Sequence, residues 1–568
     1  MLAIACLILL SIASAQRVEN LTVGSIRTPA LGVDIYWQPH PAFSWQTSAA
    51  QTAYQLQVTS SSGAIVYDTG KVISAQTTLI PYAGTPLLYD ADYTVSLTSF
   101  FGATPVSLAG TFATGLDSLA WASSAQWLAG CTTGQQAPQL RASFALSSAP
   151  IVRARAYASG VGLYSLHLNG ARVGGGEAEL TPGWSTVPTV RVLADTHDVA
   201  AALLPGGENV VGLRLGAGKY GYVYEFCHAG DATCYAGVLR LVIEQSGGNV
   251  TTIETTPATW TCAPSPITFQ HLFHGESFNE SLEQAGWDAP GFAPAAPWAP
   301  ARLAQPNVTL LSTGVPPIRN AALVTPVAVA PAPGSGHVLG GGKFIIASSG
   351  GSPNVYFWPD NTTTKFFVQF CTMCSLDLCS SLVPEPPALI AGLTTEGNFS
   401  CSQLPAGPSP WVFDLGRNMA GSCTLQLPAA GSLPPGSILT LVHGEILSAS
   451  GSVENTFGTS GTTRTCPVNT INCADQLDSF TTALSGSTAT SFTPTFTFHG
   501  FRYVALFGWP AAPAPPPTAA TLQCHQQYSG MGEAGGLSFN STLLNRLQAA
   551  IVATQKSNFF SIPSDCPT

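Results

Sequence analysis

The sequence predicts a mainly β protein, several tandem β-sandwich domains with one long helix near the end. Three observations carry this. At 568 residues the chain exceeds what one hydrophobic core organises, so three or four domains are expected. Gly (56) and Pro (44) are abundant and only 9% of residues are charged, against about 25% in ordinary globular chains, which favours short strands and many turns over long helices. Alternating apolar–polar runs recur from residue 17 onward, and helical spacing first appears beyond residue 525.

The bulk properties exclude several function classes. A 45% hydrophobic fraction excludes global disorder. The net charge of −10, without a Lys/Arg cluster, lacks the electrostatic footprint of a nucleic-acid or anionic-membrane binder. A neutral substrate is compatible with such a surface.

Residues 1–15 read as a secretory signal peptide. The apolar run Leu2–Leu10 is followed by Ala13-Ser14-Ala15, with cleavage before Gln16, although only the amino terminus supplies the usual positive charge. A buried N-terminal segment is the alternative. No apolar run is long enough to span a bilayer, so no membrane span is expected. Seven Asn-X-Ser/Thr sequons fit export, with Asn20, Asn249, Asn279, Asn307, Asn361 and Asn398 as glycosylation candidates and Asn540 as the seventh. Of the fourteen cysteines, Cys227 with Cys234 and Cys466 with Cys473 lie in polar loops and read as local disulfides. Cys371, Cys374, Cys379 and Cys401 form a third cluster, read as disulfides. A zinc site is the alternative, but the spacing matches no standard pair of knuckles. Removing Cys6 with the signal leaves an odd number, and Cys566 is the candidate free thiol.

Residues 16–116 are expected to form the first sandwich, of fibronectin-III-like type. Tyr54-Gln55-Leu56-Gln57-Val58 and Tyr93-Thr94-Val95-Ser96-Leu97 each turn one face inward, and Trp45 is placed in the core rather than on a sugar-stacking surface. Residues 117–302 continue as strands. Leu163–Leu168 runs into Asn169-Gly170, a hairpin dipeptide, and Thr181-Pro182-Gly183-Trp184 is a turn closed by an aromatic. The Gly-rich stretch Leu215–Gly221 lacks a following helix and a Lys-Ser/Thr ending, so it reads as a tight β-loop, not a phosphate loop. His271-x-x-His274-x-Glu276 has no evident third ligand and reads as structural histidines in a loop.

Residues 303–525 form a further β-rich domain with Pro/Gly/Ser-rich insertions. Phe413–Gly421 reads as a short connection in which Asp414 and Asn418 make turn hydrogen bonds, and Phe496–Val504 as a strand bulged at Gly500. Pro510–Pro517 reads as a hinge-like linker. Leu543, Leu544, Leu547, Ala550 and Ile551 then recur at helical spacing, with Asn540 as N-cap, Phe539 and Leu544 as a hydrophobic staple, and an end near Ser557-Asn558. This helix either packs on the preceding sandwich or opens a further domain, since its stripe needs a partner.

Several segments, in one order, resemble the bacterial-type α-L-rhamnosidases, glycoside hydrolase family 78. Gly162-Leu163-Tyr164, Asn169-Gly170-x-Arg172-Val173-Gly174 and Thr181-Pro182-Gly183-Trp184 resemble the family's carbohydrate-binding-like N-terminal sandwich. Gly275-Glu276-Ser277-Phe278 with Gly286-Trp287 resembles the stretch that closes it, with Asn279-Glu280-Ser281 where the family has Asp-Ala-Arg. Asp414–Gly421, His443-Gly444-Glu445-Ile446-Leu447 and Phe498–Val504 resemble the concanavalin-like domain. Asn558 and Ile562-Pro563-Ser564-Asp565-Cys566-Pro567 resemble the start of the (α/α)6 catalytic barrel, so residues 526–568 are expected to be its opening portion.

The resemblance implies inverting hydrolysis of terminal α-L-rhamnose from glycosides or polysaccharides. Inversion needs a carboxylic acid and a carboxylate roughly 6.5–9.5 Å apart. Asp565 matches the family's first acidic residue, which contacts the sugar hydroxyls. The family's general acid and base match no position up to Thr568. The chain is therefore expected to hold no catalytic residue, to be a fragment, and to be inactive as it stands. No cofactor or metal is implied; calcium occurs in the family, but no residue pattern here indicates it. A secreted carbohydrate-binding or adhesion protein, and a purely structural multi-sandwich protein, are the rival readings.

Overall fold

The computed structural model describes residues 16–564 except 37, 118–120, 122–124, 133–136, 185–190, 219–234, 273–274, 294–297, 332–341, 350–351, 357–396, 400–409, 448–452, 455–475, 512–513 and 534, with backbone alone at 342–349, 352–356, 397–399 and 454. The chain divides into two compact units. One comprises residues up to Asp117 with Ser312–Pro316 and Met531–Gly536; the other comprises the remainder.

The first unit is a β-sandwich. A four-stranded sheet (Ile26–Arg27, Val18–Val23, Ala42–Thr47, Ile80–Pro81) faces a five-stranded one (Ala30–Val33, Thr104–Thr114, Asp92–Phe101, Ala53–Ser60, Ile65–Asp68). Period-two patterning places Tyr54, Leu56, Val58, Tyr93, Val95 and Leu97 in its core. Trp45 is buried there too, and its indole N–H is satisfied by Gln51 Oε1 at 3.1 Å.

The second unit holds two further β-layered regions. In the first, Ala236–Gln245 and Ile151–Val161 are central in one sheet, and Glu208–Gly216, between Leu163–Leu168 and Gln139–Ala145, is central in the other. Leu140, Leu166, Leu213, Leu239, Leu241, Ile243 and Trp260 fill the space between them. Asn169 and Gly170 both take left-handed φ (52° and 84°), as the two-residue hairpin turn requires. The stretch Leu215-Gly216 ends a strand and Gly218 is left-handed (φ 51°); the rest of that Gly-rich stretch lies outside the described residues.

The other region is a ten-stranded sheet. Its main path runs Ile267–His271, Gly275–Asn279, Leu477–Thr481, Ile438–Gly444, His499–Phe507, Trp411–Gln426, Leu522–Ser529, Ile318–Val324. Two strands preceding residue 302 thus belong to it, so the layer runs across the 302/303 boundary expected from sequence. The pair Ile267–His271 and Gly275–Asn279 makes the region of His271 and Glu276 a β-hairpin rather than a loop. His274 lies outside the described residues.

Three further local expectations change. Phe413–Gly421 is not a connection but the middle of the 16-residue strand Trp411–Gln426. Between Asp414 and Met419 this strand advances five residues while its partner retreats two, from Tyr503 to Phe501, so the bulge lies at 415–418 and not at Gly500. Pro510–Pro517 joins two strands that both pair with Trp411–Gln426, so it is a loop within one sheet rather than a hinge.

The helix spans Thr542–Ser557 and is capped by Ser541, whose Oγ accepts from Leu544 N at 3.4 Å. Asn540 therefore sits one residue before the cap. The role expected of the Phe539–Leu544 staple is taken by Asn545, which accepts from Phe539 N and donates to Phe539 O, both at 2.8 Å. No helix residue is buried, and Leu543, Leu547 and Ile551 are more than half exposed. No helix among the described residues is long and apolar enough to cross a membrane.

Candidate functional site

The described residues place the motifs singled out above around one apolar cluster in the second unit. Leu163, Leu180, Trp184, Phe496, Ala420 and Phe560 are buried in it, with Phe278 and Phe498 packed against it. Each comes from a different part of the sequence, and each is delivered by local structure. Thr181 ties its turn to the strand bearing Tyr164, donating from Oγ1 to Tyr164 O at 2.6 Å and accepting from Tyr164 N at 2.8 Å. That anchors the turn that carries Trp184 against Phe498 (ring centroids 6.2 Å apart). Arg172 donates to Glu179 Oε2 at 2.6 Å, and Glu179 N donates to Ile318 O at 2.7 Å, which fastens the same segment to the edge of the ten-stranded sheet.

The last described segment is plugged into this cluster. After the helix, Phe559–Phe560 folds back on Ile562–Pro563. Phe560 is fully buried and stacks on Phe498 at 3.9 Å with planes 17° apart. Ser561, at the reversal, has a left-handed φ of 69°. Its N–H donates to Ser529 Oγ at 2.6 Å, and its Cβ lies 2.7 Å from where a Cβ on Gly183 would stand. Only glycine at 183 admits this approach, and its own φ of 83° adds to that requirement. Ser564 N closes the loop on Asn558 O at 2.9 Å. Asp565, the sequence's candidate for sugar contact, follows immediately and lies outside the described residues, as does Cys566.

The motifs of the ten-stranded sheet are also tied to one another by polar contacts. Arg502 grips Asp414 with two hydrogen bonds of 2.8 and 2.9 Å. This hydrogen bonding, above all, holds the Asp414 carboxyl below the usual carboxylate range. Asp414 Oδ1 also accepts from Gly416 N at 2.7 Å and so fixes the bulge. Asn418 donates to Glu445 Oε1 at 2.6 Å, and Arg417 to Gln526 Oε1 at 3.2 Å. The turn roles expected of Asp414 and Asn418 thus become one local bond and one bond to a distant motif.

Beneath lies a sealed ionisable cluster that sequence reading did not assemble. Glu276, Asp478 and His443 are 0% exposed and His499 is 1% exposed. His499 Nε2 donates to Asp478 Oδ2 at 3.0 Å, and Glu276 N donates to Asp478 Oδ1 at 3.0 Å. Burial raises Asp478, but His499, His443 and the Glu276 N–H together outweigh it and hold the carboxyl below its ordinary value. Burial pushes Glu276 up to about 8, against the N–H groups of Phe496 and Thr495 that its carboxylate accepts. Burial, then the neighbouring His499, depresses His443 to about 3. A raised acid beside an ionised carboxylate is the pairing that glycoside hydrolysis uses. Here both groups are enclosed and bonded to backbone, so no substrate reaches them.

His443, Asp478 and His499 also offer nitrogen and oxygen atoms close enough to raise the question of a metal. The two imidazoles lie 4.3 Å apart with planes only 31° apart. His499 Nε2 and Asp478 Oδ2 are engaged with each other, and Asp478 Oδ1 with Glu276 N. The cluster is a polar pin through the sheet.

Other sequence candidates fall as follows. Cys227, Cys234, Cys371, Cys374, Cys379, Cys401, Cys466 and Cys473 lie outside the described residues, as do Asn361 and the side chain of Asn398. Asn249 and Asn307 are exposed; Asn279 accepts from Ser281 N at 3.0 Å and Asn20 donates to Gln46 at 2.6 Å. Two disulfides that sequence reading did not pair, Cys131–Cys262 and Cys423–Cys524, join residues 131 and 101 positions apart. Only the sheet registers bring them together, Cys423 being directly opposite Cys524.

Comparison with known proteins follows the same order of domains. Family models match at residues 18–118 (Rha78A-like, N-terminal immunoglobulin domain), 149–322 (alpha-L-rhamnosidase N-terminal domain) and 405–524 (bacterial alpha-L-rhamnosidase concanavalin-like domain). An alpha-L-rhamnosidase of Streptomyces avermitilis is 28% identical over 432 residues, covering 76% of this chain and 32% of that protein. The solved alpha-L-rhamnosidase of Dictyoglumus thermophilum has a TM-score of 0.69 at 24% identity, over 97% of this chain and 53% of that one. The Streptomyces avermitilis enzyme solved in complex with L-rhamnose has a TM-score of 0.68 at 21% identity, over 98% of this chain and 61% of that one. At these identities the two structures show a shared fold, and the chain spans about a third of the curated relative and somewhat over half of each solved chain. With three models of one family matched in sequence and that fold shared across nearly its whole length, the chain belongs to the α-L-rhamnosidase family.

Proposed function

We propose that this chain supplies the β-domain framework and a first sugar contact, Asp565, for inverting hydrolysis of terminal α-L-rhamnose from glycosides or polysaccharides. The observation that carries the reading is the burial of Phe560 in the cluster shared by the family-like motifs, five residues before Asp565. The L-rhamnose bound to a protein of the same fold supports the sugar class. Among the described residues, Glu276 and Asp478 are brought together but sealed from solvent. The protein is secreted in this reading; the apolar run before Ala13-Ser14-Ala15, the exposed sequons at Asn249 and Asn307 and the two disulfides support that.

Two measurements test it. The purified 568-residue chain should release no aryl alcohol from an aryl α-L-rhamnoside, and measurable turnover would overturn the reading that these residues hold no general acid and base. Titration with L-rhamnose should give saturable binding that Asp565→Asn abolishes, and equal binding by both proteins would remove Asp565 from the sugar site.

A further inference from the structure

We infer a second ligand site, on the outer face of the sheet that holds Gln139–Ala145: the half-buried guanidinium of Arg141, walled by Phe292 and Trp298, takes the carboxylate of a uronic acid residue in a saccharide. Its place on a rhamnose-bearing polysaccharide rests on the reading given above; recognition of the carboxylate does not.

Three observations carry it. First, Arg141 is a cation without a partner of its own. Leu140 and Ala142 fill the core between the sheets, so the Arg141 side chain leaves by the other face. Arg153, Arg155, Arg172, Arg214 and Arg240 in the same region each meet a carboxylate. Among the described residues no hydrogen bond or ion pair reaches the Arg141 guanidinium, and its Nε is buried and unsatisfied. Glu208 and Asp288 act on it only through space, and each is engaged elsewhere: Glu208 Oε2 accepts from Gly291 N at 3.2 Å, and Asp288 Oδ2 is bonded to His167 Nδ1 at 2.8 Å. Burial works against the charge of Arg141, a cost that a bound anion offsets. Second, an aromatic corner surrounds it. The Phe292 and Trp298 rings lie 5.2 and 6.0 Å from Cζ and 5.9 Å from each other, with planes 69° apart. Both are half-buried, so ring surface stays in water. Trp298 is held in place by its indole N–H, which donates to Gln284 Oε1 at 2.6 Å. Third, the floor beside Arg141 is filled and fixed. Gly212 lies directly opposite it on the next strand, and the buried Trp287 ring covers that glycine, where a Cβ would stand 2.6 Å from the ring.

These features select one chemistry. A planar guanidinium with open N–H groups matches a carboxylate through two parallel hydrogen bonds. The aromatic corner matches the C–H face of a pyranose ring, which is apolar. A neutral sugar would leave the guanidinium unpaired. A polyphosphate would need several cations, and the net charge of −10 with one arginine at the site does not supply them. A uronic acid residue joins one carboxylate to one pyranose face and satisfies both parts.

The test uses the full chain with tetragalacturonate and its methyl ester as probes, read by titration calorimetry at low salt, with melting temperatures to verify folding. The ester keeps the rings and removes the charge. The wild type should bind the acid roughly tenfold or more tighter than the ester. Arg141→Gln should lose that preference, and Phe292→Leu should weaken acid and ester by a similar factor. The site is overturned if the wild type shows no preference for the acid, or if Arg141→Gln keeps it. Should Arg141→Gln fail to fold, Phe292→Leu decides, and unchanged affinity for both probes overturns the site. Asp565→Asn should bind tetragalacturonate like the wild type; loss of binding there would overturn the claim of a second site. If the wild type does not bind L-rhamnose yet prefers the acid, the Asp565 reading fails and the Arg141 site stands.

Discussion

Replacing Phe560 by alanine should release the helix Thr542–Ser557 without unfolding the sheets. The helix has 16 residues and buries none of them, and its apolar stripe faces outward. A helix of that length is marginal on its own in water. Besides the plug, its ties among the described residues include Lys556 over the Tyr528 ring at 5.5 Å and the Ser561–Ser529 bond beyond its end. Phe560 is fully buried and stacked, so its truncation should cost about 3–5 kcal/mol. Expressed as local opening, that raises the open population of residues 541–564 by roughly 10²–10⁴-fold. Hydrogen exchange read by mass spectrometry at fixed pH would resolve it. Peptides covering the helix and Phe559–Ser564 should lose protection together, while those covering Trp411–Gln426 and His499–Phe507 keep theirs. Leu547→Ala, at a position 54% exposed, serves as control and should change little. The reasoning is refuted if helix peptides in Phe560→Ala exchange as in the wild type, or if protection falls equally across the ten-stranded sheet.

Further expectations follow from the same contacts. Glu276 holds its proton in the fold up to about 8 but only to 4.5 when unfolded, so stability falls as pH rises between these values; His443, lowered from 6.5 to about 3, makes stability fall as pH drops through that range. The two slopes oppose between 4.5 and 6.5, leaving a decline from 6.5 to 8 that Glu276→Gln should flatten in urea midpoints; an unchanged alkaline slope would show that Glu276 is not its source. Replacing both Cys423 and Cys524 by alanine opens a link across 101 residues and should cost up to about 4.7 kcal/mol, seen as a melting temperature lower than that of the oxidised wild type. Asp414→Asn loses the charge-assisted grip of Arg502 on a partly exposed pair and should cost about 1 kcal/mol by urea denaturation; a neutral result would mean the bulge is held by Gly416 and its neighbours alone.

Much of the fold was legible because side-chain period and turn chemistry are local. The Tyr54–Val58 and Tyr93–Leu97 alternation, the Asn169-Gly170 turn and the helix end at Asn558 all stand where residues a few positions apart put them. Local rules failed where a distant strand was the deciding partner. Phe413–Gly421 looks like a turn because Gly416, Arg417 and Asn418 are polar or small, yet its neighbours on both sides pair with it and absorb the irregularity as a bulge. The N-cap moved by one residue because the side chain of Asn545 returns to Phe539, a bond that spacing alone does not announce.

The sequence by itself determined the class of fold, the order of the family's domains and Asp565 as candidate for sugar contact, since these reside in short motifs. Tertiary structure alone decided that those motifs share one cluster around Phe560, that Cys131 meets Cys262 and Cys423 meets Cys524, and that Glu276 and Asp478 form a sealed pair. The physical reason is register. Strand pairing brings residues a hundred or more positions apart to within a side chain's length, and which of them meet depends on a global alignment of sheets that no local pattern encodes.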